Sequence, residues 1–235
     1  MTLAVRHWAA SHPGLVRTTN QDAYLCRPDI GLFVVADGVG GHGSGDLASA
    51  EVVRELDAVP AGLNPLELLA AVRSRLEAAH RRLLGEASSE LAAVNATTVV
   101  VLLLHGHHLA CLWAGDSRAY LLRRGTLVQL TTDHSLVEEM LRSGNLTEAE
   151  AWNHPKGNVI TRAIGVECTD ALLDKAITRI EQGDRFLLCS DGLIKAVQDT
   201  DLIAPLETDD PAKALIRTAI ARQARDNVTA LVAMI

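Results

Sequence analysis

The chain has 235 residues, 48% of them hydrophobic and 22% charged, a balance that excludes a disordered polymer and is sufficient for a real core. A formal net charge of −7 with no block of Lys and Arg excludes a nucleic-acid footprint, and 3% aromatic content leaves little for stacking a flavin or a base. The opening MTLAVRHWAASHPG has no apolar core of signal-peptide length, and the longest apolar run, Val99 to Leu104, is far too short for a membrane span, so a cytoplasmic protein is expected.

In chain order, three strand-like runs come first: TLAVRHWAAS, DAYLCRPD and GLFVVAD. Two helical patterns follow, over about 45–58 and 65–85, the second placing Leu66, Leu69, Val72, Leu76 and Leu83 near one face. A block of strand formers, from ATTVVV to LVQLT, has glycines where hairpin turns would fall. Ser135 with Glu138, and Thr147 with Glu150, form two capping boxes that predict short helices in a connecting segment. DALLDKAIT and RFLLCS read as strands around the turn EQGD, Asp210-Pro211 opens a helix to about 225, and NVTALVAMI closes the chain as a strand. Consecutive strands with helices inserted in pairs favour a layered α+β domain over a doubly wound parallel sheet. With no repeat, linker or low-complexity tract, one domain over 1–235 is expected.

The four cysteines are scattered without a C-x-x-C pair, which argues against a zinc or thioredoxin-type site; Cys111 and Cys189 lie in apolar runs and read as core. The tempting HGHH at 105–108 sits between two apolar strands and reads as a solvated hairpin turn rather than a metal site.

Chemistry is carried by a repeated event. LFVVAD-G ends an apolar run at Asp37, CLWAGD-S at Asp116 and FLLCSD-G at Asp191, while ARD-N puts Asp226 at a helix-to-strand junction and TTNQD-A puts Asp22 where a strand begins. Carboxylates at strand ends can converge at one rim of a sheet, but their mutual repulsion opposes the charged form unless divalent cations are present. Hard oxygen donors without a matching His/Cys set point to Mg2+ or Mn2+. The same loop satisfies G-x-G-x-x-G at Gly38, Gly40 and Gly43, yet no second strand with an acidic end follows at the required distance. A dinucleotide cradle, and with it a nucleotide-dependent oxidoreductase, is therefore disfavoured.

GLVRTTNQDA, VVADGVGGHGSGDLAS, WAGDSRAYLLRRG, LTTDHS, NVITRAIG, GDRFLLCSDGL and ARDNVTALV stand in the order found in metal-dependent protein phosphatases of the protein phosphatase 2C type. Over roughly 14–232 the chain resembles the compact bacterial members of that family. The resemblance implies a four-layer αββα sandwich, two antiparallel sheets flanked by helix pairs, with a metal centre at one end. It implies that Asp37 bridges two cations, that the Gly38 carbonyl helps hold the second, and that Asp191 and Asp226 complete the first. It also puts Asp22 near the centre, a third cation at Asp116 with Asp191, and a phosphate grip on Arg17. Asp37, Asp191 and Arg17 would then carry catalysis.

The implied reaction is hydrolysis of phosphoserine and phosphothreonine by direct attack of a metal-bridging hydroxide, with two or three Mn2+ or Mg2+ ions and no nucleotide cofactor. The implied partners are phosphoproteins made by a cognate Ser/Thr kinase. Gln21 stands where many relatives carry glutamate, and Val39 where eukaryotic relatives often carry a histidine. The general acid is left open, with His42 as a candidate. Segment 135–165 corresponds to the flap beside the active site. The rival reading within the family is a phosphoprotein-binding pseudoenzyme, against which the presence of Asp37, Asp191 and Asp226 counts.

Overall fold

The computed structural model describes residues 5–40, 45–87, 95–151, 154–167 and 172–235. The first sheet contains β1 (Arg6–His12), β7 (Arg118–Arg123), β8 (Thr126–Gln129), β10 (Arg185–Cys189) and β11 (Val228–Met234), in the order β1-β11-β10-β7-β8. The second contains β2 (Asp22–Arg27), β3 (Leu32–Val39), β5 (Val99–His105), β6 (His108–Ala114) and β9 (Asp174–Arg179), in the order β2-β3-β5-β6-β9, with the two-residue β4 (Ala96–Thr97) paired to the end of β3. Every pairing is antiparallel.

Strand periodicity explains the layering. Successive side chains of β3 point to opposite faces, so Phe33 and Val35 enter the core between the sheets while Leu32, Val34 and Ala36 face the helices. Both faces of this strand are covered, which is why LFVVA reads as a continuous apolar run rather than an alternating one. On the outer face of the second sheet lie α1 (Gly45–Asp57) and α2 (Pro65–Ala87). Against the first sheet pack α5 (Asp191–Ala196), α6 (Asp199–Leu206) and α7 (Pro211–Ala221), through Leu193, Leu202, Leu206 and Leu215. Each such fully buried side chain contributes about 2 kcal/mol of transfer free energy. The result is the expected αββα sandwich.

Local signals locate the helix ends. Asn64 accepts from the Leu66 and Glu67 amides, and Glu67 accepts from the Asn64 amide, a reciprocal cap that fixes the start of α2 with Pro65 in its first turn. Ser135 caps α3 (Leu136–Arg142) by accepting from the Glu138 amide, and Thr147 precedes α4 (Glu148–Ala151) with Glu150 reaching back to it. The Thr147 capping box is therefore complete, whereas Ser135 caps α3 without a return bond, the Glu138 carboxylate pairing with Arg142 instead. Asp210 caps α7, which ends before the expected 225 because Gln223 adopts φ +63°. The face of α2 is also shifted: Leu68, Val72, Leu76, Ala79 and Leu83 are buried, whereas Leu66, in the first turn beside the cap, is 79% exposed. The HGHH stretch is a hairpin turn, with His105, His107 and His108 exposed. Among the described residues no helix is long and apolar enough to cross a membrane.

Candidate metal centre

One end of the sandwich gathers the aspartates. Asp22 and Asp37 are directly opposed across β2 and β3. Asp116 follows Gly115 just beyond β6, Asp191 is the first residue of α5, and Asp226 lies two residues before β11. A cavity of about 170 Å³ opens there, and its charged lining consists of Asp37, Asp116, Asp191, Asp226, Arg17 and Lys195. Asp37 does not end its strand as expected, because β4 pairs with Gly38 and Val39 and carries β3 two residues further.

Glycines let these elements approach. A Cβ on Gly38 would lie 2.0 Å from the Gly45 carbonyl oxygen, and one on Gly192 would lie 2.0 Å from that of Asn227. At Gly38 the close neighbour is the start of α1. Gly43 and His42 lie outside the described residues.

Buried polar groups then hold the floor. Asp22 Oδ2 accepts from Ser190 Oγ at 2.7 Å and Thr229 Oγ1 at 2.6 Å, both on the opposite sheet's side of the sandwich. Its Oδ1 is buried and has no hydrogen-bond partner. The Asp37 backbone is tied on both sides, its amide donating to Thr98 Oγ1 and its carbonyl accepting from Thr98 N and Thr97 Oγ1. Asn227, 5% exposed, anchors the loop that carries Arg17: its Nδ2 donates to the Pro13 and Thr19 carbonyls at 3.0 and 2.9 Å, and its Oδ1 accepts from Gln21 N at 2.8 Å. The sequence reading passed over Asn227, Ser190 and Thr229. A signal existed for two of them, in the residues adjoining Asp226 and Asp191.

Electrostatics show an unmet demand for positive charge. Burial pushes the Asp22 carboxyl up to about 7 despite the hydrogen bonds from Thr229 and Ser190. Burial likewise pushes Asp116 up to about 7, with Asp191 adding repulsion and Lys195 offsetting part of it. Asp37 is raised well above the carboxylate range by burial and then by its four aspartate neighbours. Two carboxylates have cations of their own. Arg17 clamps Asp226 through Nε and Nη2 at 2.8 and 3.0 Å, which outweighs burial and holds that carboxyl below its ordinary value. Lys195 pairs with Asp191 one helical turn away, and Asp191, with Asp116 and Asp37 adding to it, keeps the ammonium raised against burial.

Among the described residues no three His, Cys, Asp or Glu side chains are drawn together tightly enough to hold a metal ion as they stand. In this arrangement Arg17 and Lys195 engage Asp226 and Asp191. The donor chemistry nevertheless fits divalent cations: hard carboxylate oxygens, the orphaned Asp22 Oδ1 behind them, and three carboxyls raised for want of charge. Gln21, in place of an acid, directs its side chain toward Gly45 and its carbonyl to the Ser49 hydroxyl at 2.6 Å.

Beside the cavity, a cleft of about 550 Å³ runs between α3 and α5, with Val137, Leu141 and Ile194 as apolar lining and Glu138 and Asp199 among its acids. The LTTDHS segment fixes one wall. Arg118 grips Asp133 with both nitrogens, and His134 stacks on Trp113, accepts from Gly115 N through Nδ1 and faces Asp174 through Nε2. Gly115 N–H bound to Nδ1 leaves the proton on Nε2, which donates to Asp174.

A buried carboxylate ring at the end of an αββα sandwich, with an arginine fork at its rim, marks a class: divalent-metal hydrolases of phosphate esters. The protein phosphatase 2C family model matches residues 16–233. The serine/threonine protein phosphatase PstP of Mycobacterium tuberculosis is 36% identical over 241 aligned positions, which cover 99% of this chain and 45% of that protein. The chain thus spans less than half the length of that relative. Among solved structures, PppA, described as a key regulatory component of T6SS in Pseudomonas aeruginosa, is 40% identical with a TM-score of 0.91, covering 99% of this chain and 98% of its own. The catalytic domain of PstP in complex with two manganese ions is 34% identical with a TM-score of 0.81, over 98% and 97% of the two chains. The chain belongs to the protein phosphatase 2C family, whose members are metal-dependent phosphoric monoester hydrolases.

Proposed function

We propose that this chain is a serine/threonine protein phosphatase that hydrolyses phosphoserine and phosphothreonine at a binuclear Mn2+ or Mg2+ centre. The observation that carries the reading is the single cavity lined by Asp37, Asp116, Asp191, Asp226 and Arg17. Asp37 and the Gly38 carbonyl, with Asp191 and Asp226, would hold the two ions, and Asp22 would brace Asp37 from behind. When bound, such a pair of ions supplies charge neutralisation and an activated water for attack at phosphorus.

The chain's own residues supply the rest. Arg17, on the loop held by Asn227, offers a planar fork that can leave Asp226 for two phosphate oxygens. The strands on either side keep Asp37 and Asp22 in place without loop rearrangement. Residues 135–165 act as a flap whose α3, together with α5, forms the wall of the cleft where the polypeptide around the phosphoresidue lies. The whole chain reads as one phosphatase domain acting in the cytoplasm on phosphoproteins made by a cognate Ser/Thr kinase.

The test is hydrolysis of p-nitrophenyl phosphate and a phosphothreonine peptide with and without Mn2+. Turnover should require the metal, and Asp37→Asn should reduce it about 100-fold or more, since a direct ligand costs at least as much as an outer-shell partner. Arg17→Ala should raise KM more than it lowers kcat. Metal-independent turnover, or wild-type turnover in Asp37→Asn, would reject the proposal.

A further inference from the structure

We propose that the Lys195 ammonium is the resident cation of the corner between Asp116 and Asp191, so that this phosphatase works with two divalent ions and holds no third. The inference rests on the binuclear reading above and departs from the third site that the resemblance implies for Asp116 with Asp191.

The geometry begins with α5. Asp191 and Lys195 are four residues apart on one helix, so the backbone itself brings the two side chains to the same face. They form an ion pair, with Asp191 14% and Lys195 38% exposed. Lys195 lines the metal cavity and the neighbouring cleft, and Asp116 and Asp191 line both as well. Lys195, paired with Asp191, therefore stands where the cavity and the cleft meet, at the junction that Asp116 also lines. Among the described residues Asp116 has no ion pair, and Arg118, two residues on, is committed to Asp133 through Nε and Nη2 and to Tyr120 through Nη1.

Arg17 and Lys195 both engage would-be ligands, but they are not equivalent. Arg17 is 57% exposed at the rim on a loop, and its fork can turn to a phosphate without moving any packed element. Lys195 is held by a helix whose Leu193 is fully buried and whose Gly192 abuts the Asn227 backbone. The α5 backbone fixes the root of the Lys195 stem one turn from Asp191, and the ion pair holds the ammonium there.

The charge of the cavity lining, taken by itself, agrees with two ions. The cavity's charged lining is four carboxylates and two side-chain cations, a net of two negative charges. Two divalent ions turn this into two positive charges, which a phosphate monoester dianion neutralises. A third divalent ion would leave the loaded site with two surplus positive charges and would have to displace or crowd the ammonium. At short range in a half-buried site such like-charge contact is strongly unfavourable.

The test counts metal ions as well as turnover. Mn2+ per chain is measured by isothermal titration and by elemental analysis after gel filtration, for wild type, Lys195→Met, Lys195→Arg and Asp116→Asn. Wild type and Lys195→Arg should take up two ions and saturate in activity with the same metal dependence. Asp116→Asn should also take up two. Lys195→Met should take up a third, and its turnover should keep rising at Mn2+ concentrations where wild type is saturated.

Three ions in the wild type, falling to two in Asp116→Asn, would overturn the proposal, as would two ions and unchanged metal dependence in Lys195→Met. Melting curves check that Lys195→Met folds; if it does not, the wild-type and Asp116→Asn counts decide. No Mn2+ uptake by wild type, or uptake unaffected by Asp37→Asn, would instead reject the metal centre itself.

Discussion

Asn227→Ala tests whether the loop bearing Arg17 is positioned from beneath. The substitution removes three hydrogen bonds from a side chain that is 5% exposed, and leaves the Pro13 and Thr19 carbonyls and the Gln21 amide without that partner. At about 1 kcal/mol net for each bond, the loss is about 3 kcal/mol. In a chain of this size each kcal/mol shifts the melting temperature by about 2–4 °C, which gives a fall of roughly 6–12 °C. The Leu15 amide still donates to the Ala224 carbonyl at 2.9 Å, so the loop loosens without detaching. Arg17 then pays an ordering cost on each binding event, and KM for p-nitrophenyl phosphate should rise about tenfold, equivalent to about 1.4 kcal/mol. Thermal melts followed by circular dichroism and steady-state kinetics at saturating Mn2+ measure both effects. A melting temperature within about 2 °C of wild type together with an unchanged KM would refute the reasoning.

The raised carboxyls make a prediction about pH for the metal-free protein. The folded pKa values of Asp22 and Asp116, about 7, lie above the unfolded carboxylate value, so the folded state binds the extra protons. Their stabilising contribution is complete below the unfolded pKa of about 4 and is lost as pH rises through about 7. With EDTA the melting temperature should therefore fall between mildly acidic and mildly alkaline pH, and Mn2+ should suppress that fall; a pH-independent metal-free melt would contradict it. Gly192→Ala should destabilise by more than about 2 kcal/mol in denaturant unfolding, because the added Cβ meets the Asn227 carbonyl oxygen at 2.0 Å and neither backbone can yield cheaply.

Buried strands are easy to read because both faces are covered and they show as apolar runs, three of which, in β3, β6 and β10, lead to Asp37, Asp116 and Asp191. Two helices were not legible. α5 has six residues, contains Gly192 and begins at Asp191 directly after β10 and Ser190, so it offers neither length nor periodicity. α6 has eight residues and includes Pro205, a poor helix former whose position signals a break rather than a continuation. Missing α5 had a chemical consequence. Lys195 matters only because a helix sets it one turn from Asp191, and without that helix it is one lysine among other surface charges. Asn227 had one local signal, its place beside Asp226, but its partners lie more than two hundred residues away in sequence, so its anchoring role had none. The aspartates themselves were legible because their local context, strand then Asp then small residue, recurs.

Asp22 belongs to one sheet, while the Ser190 and Thr229 hydroxyls that hold it belong to the other's end of the molecule. The proposed metal site is thus stitched across the seam of the sandwich, so its width follows how the two sheets pack on one another. A substitution in the middle layer, such as at Phe186 or Val100, can reset that seam without touching a ligand. Its signature would be weakened Mn2+ affinity in a protein that still folds, so the inner core works as a calibration element for the metal centre.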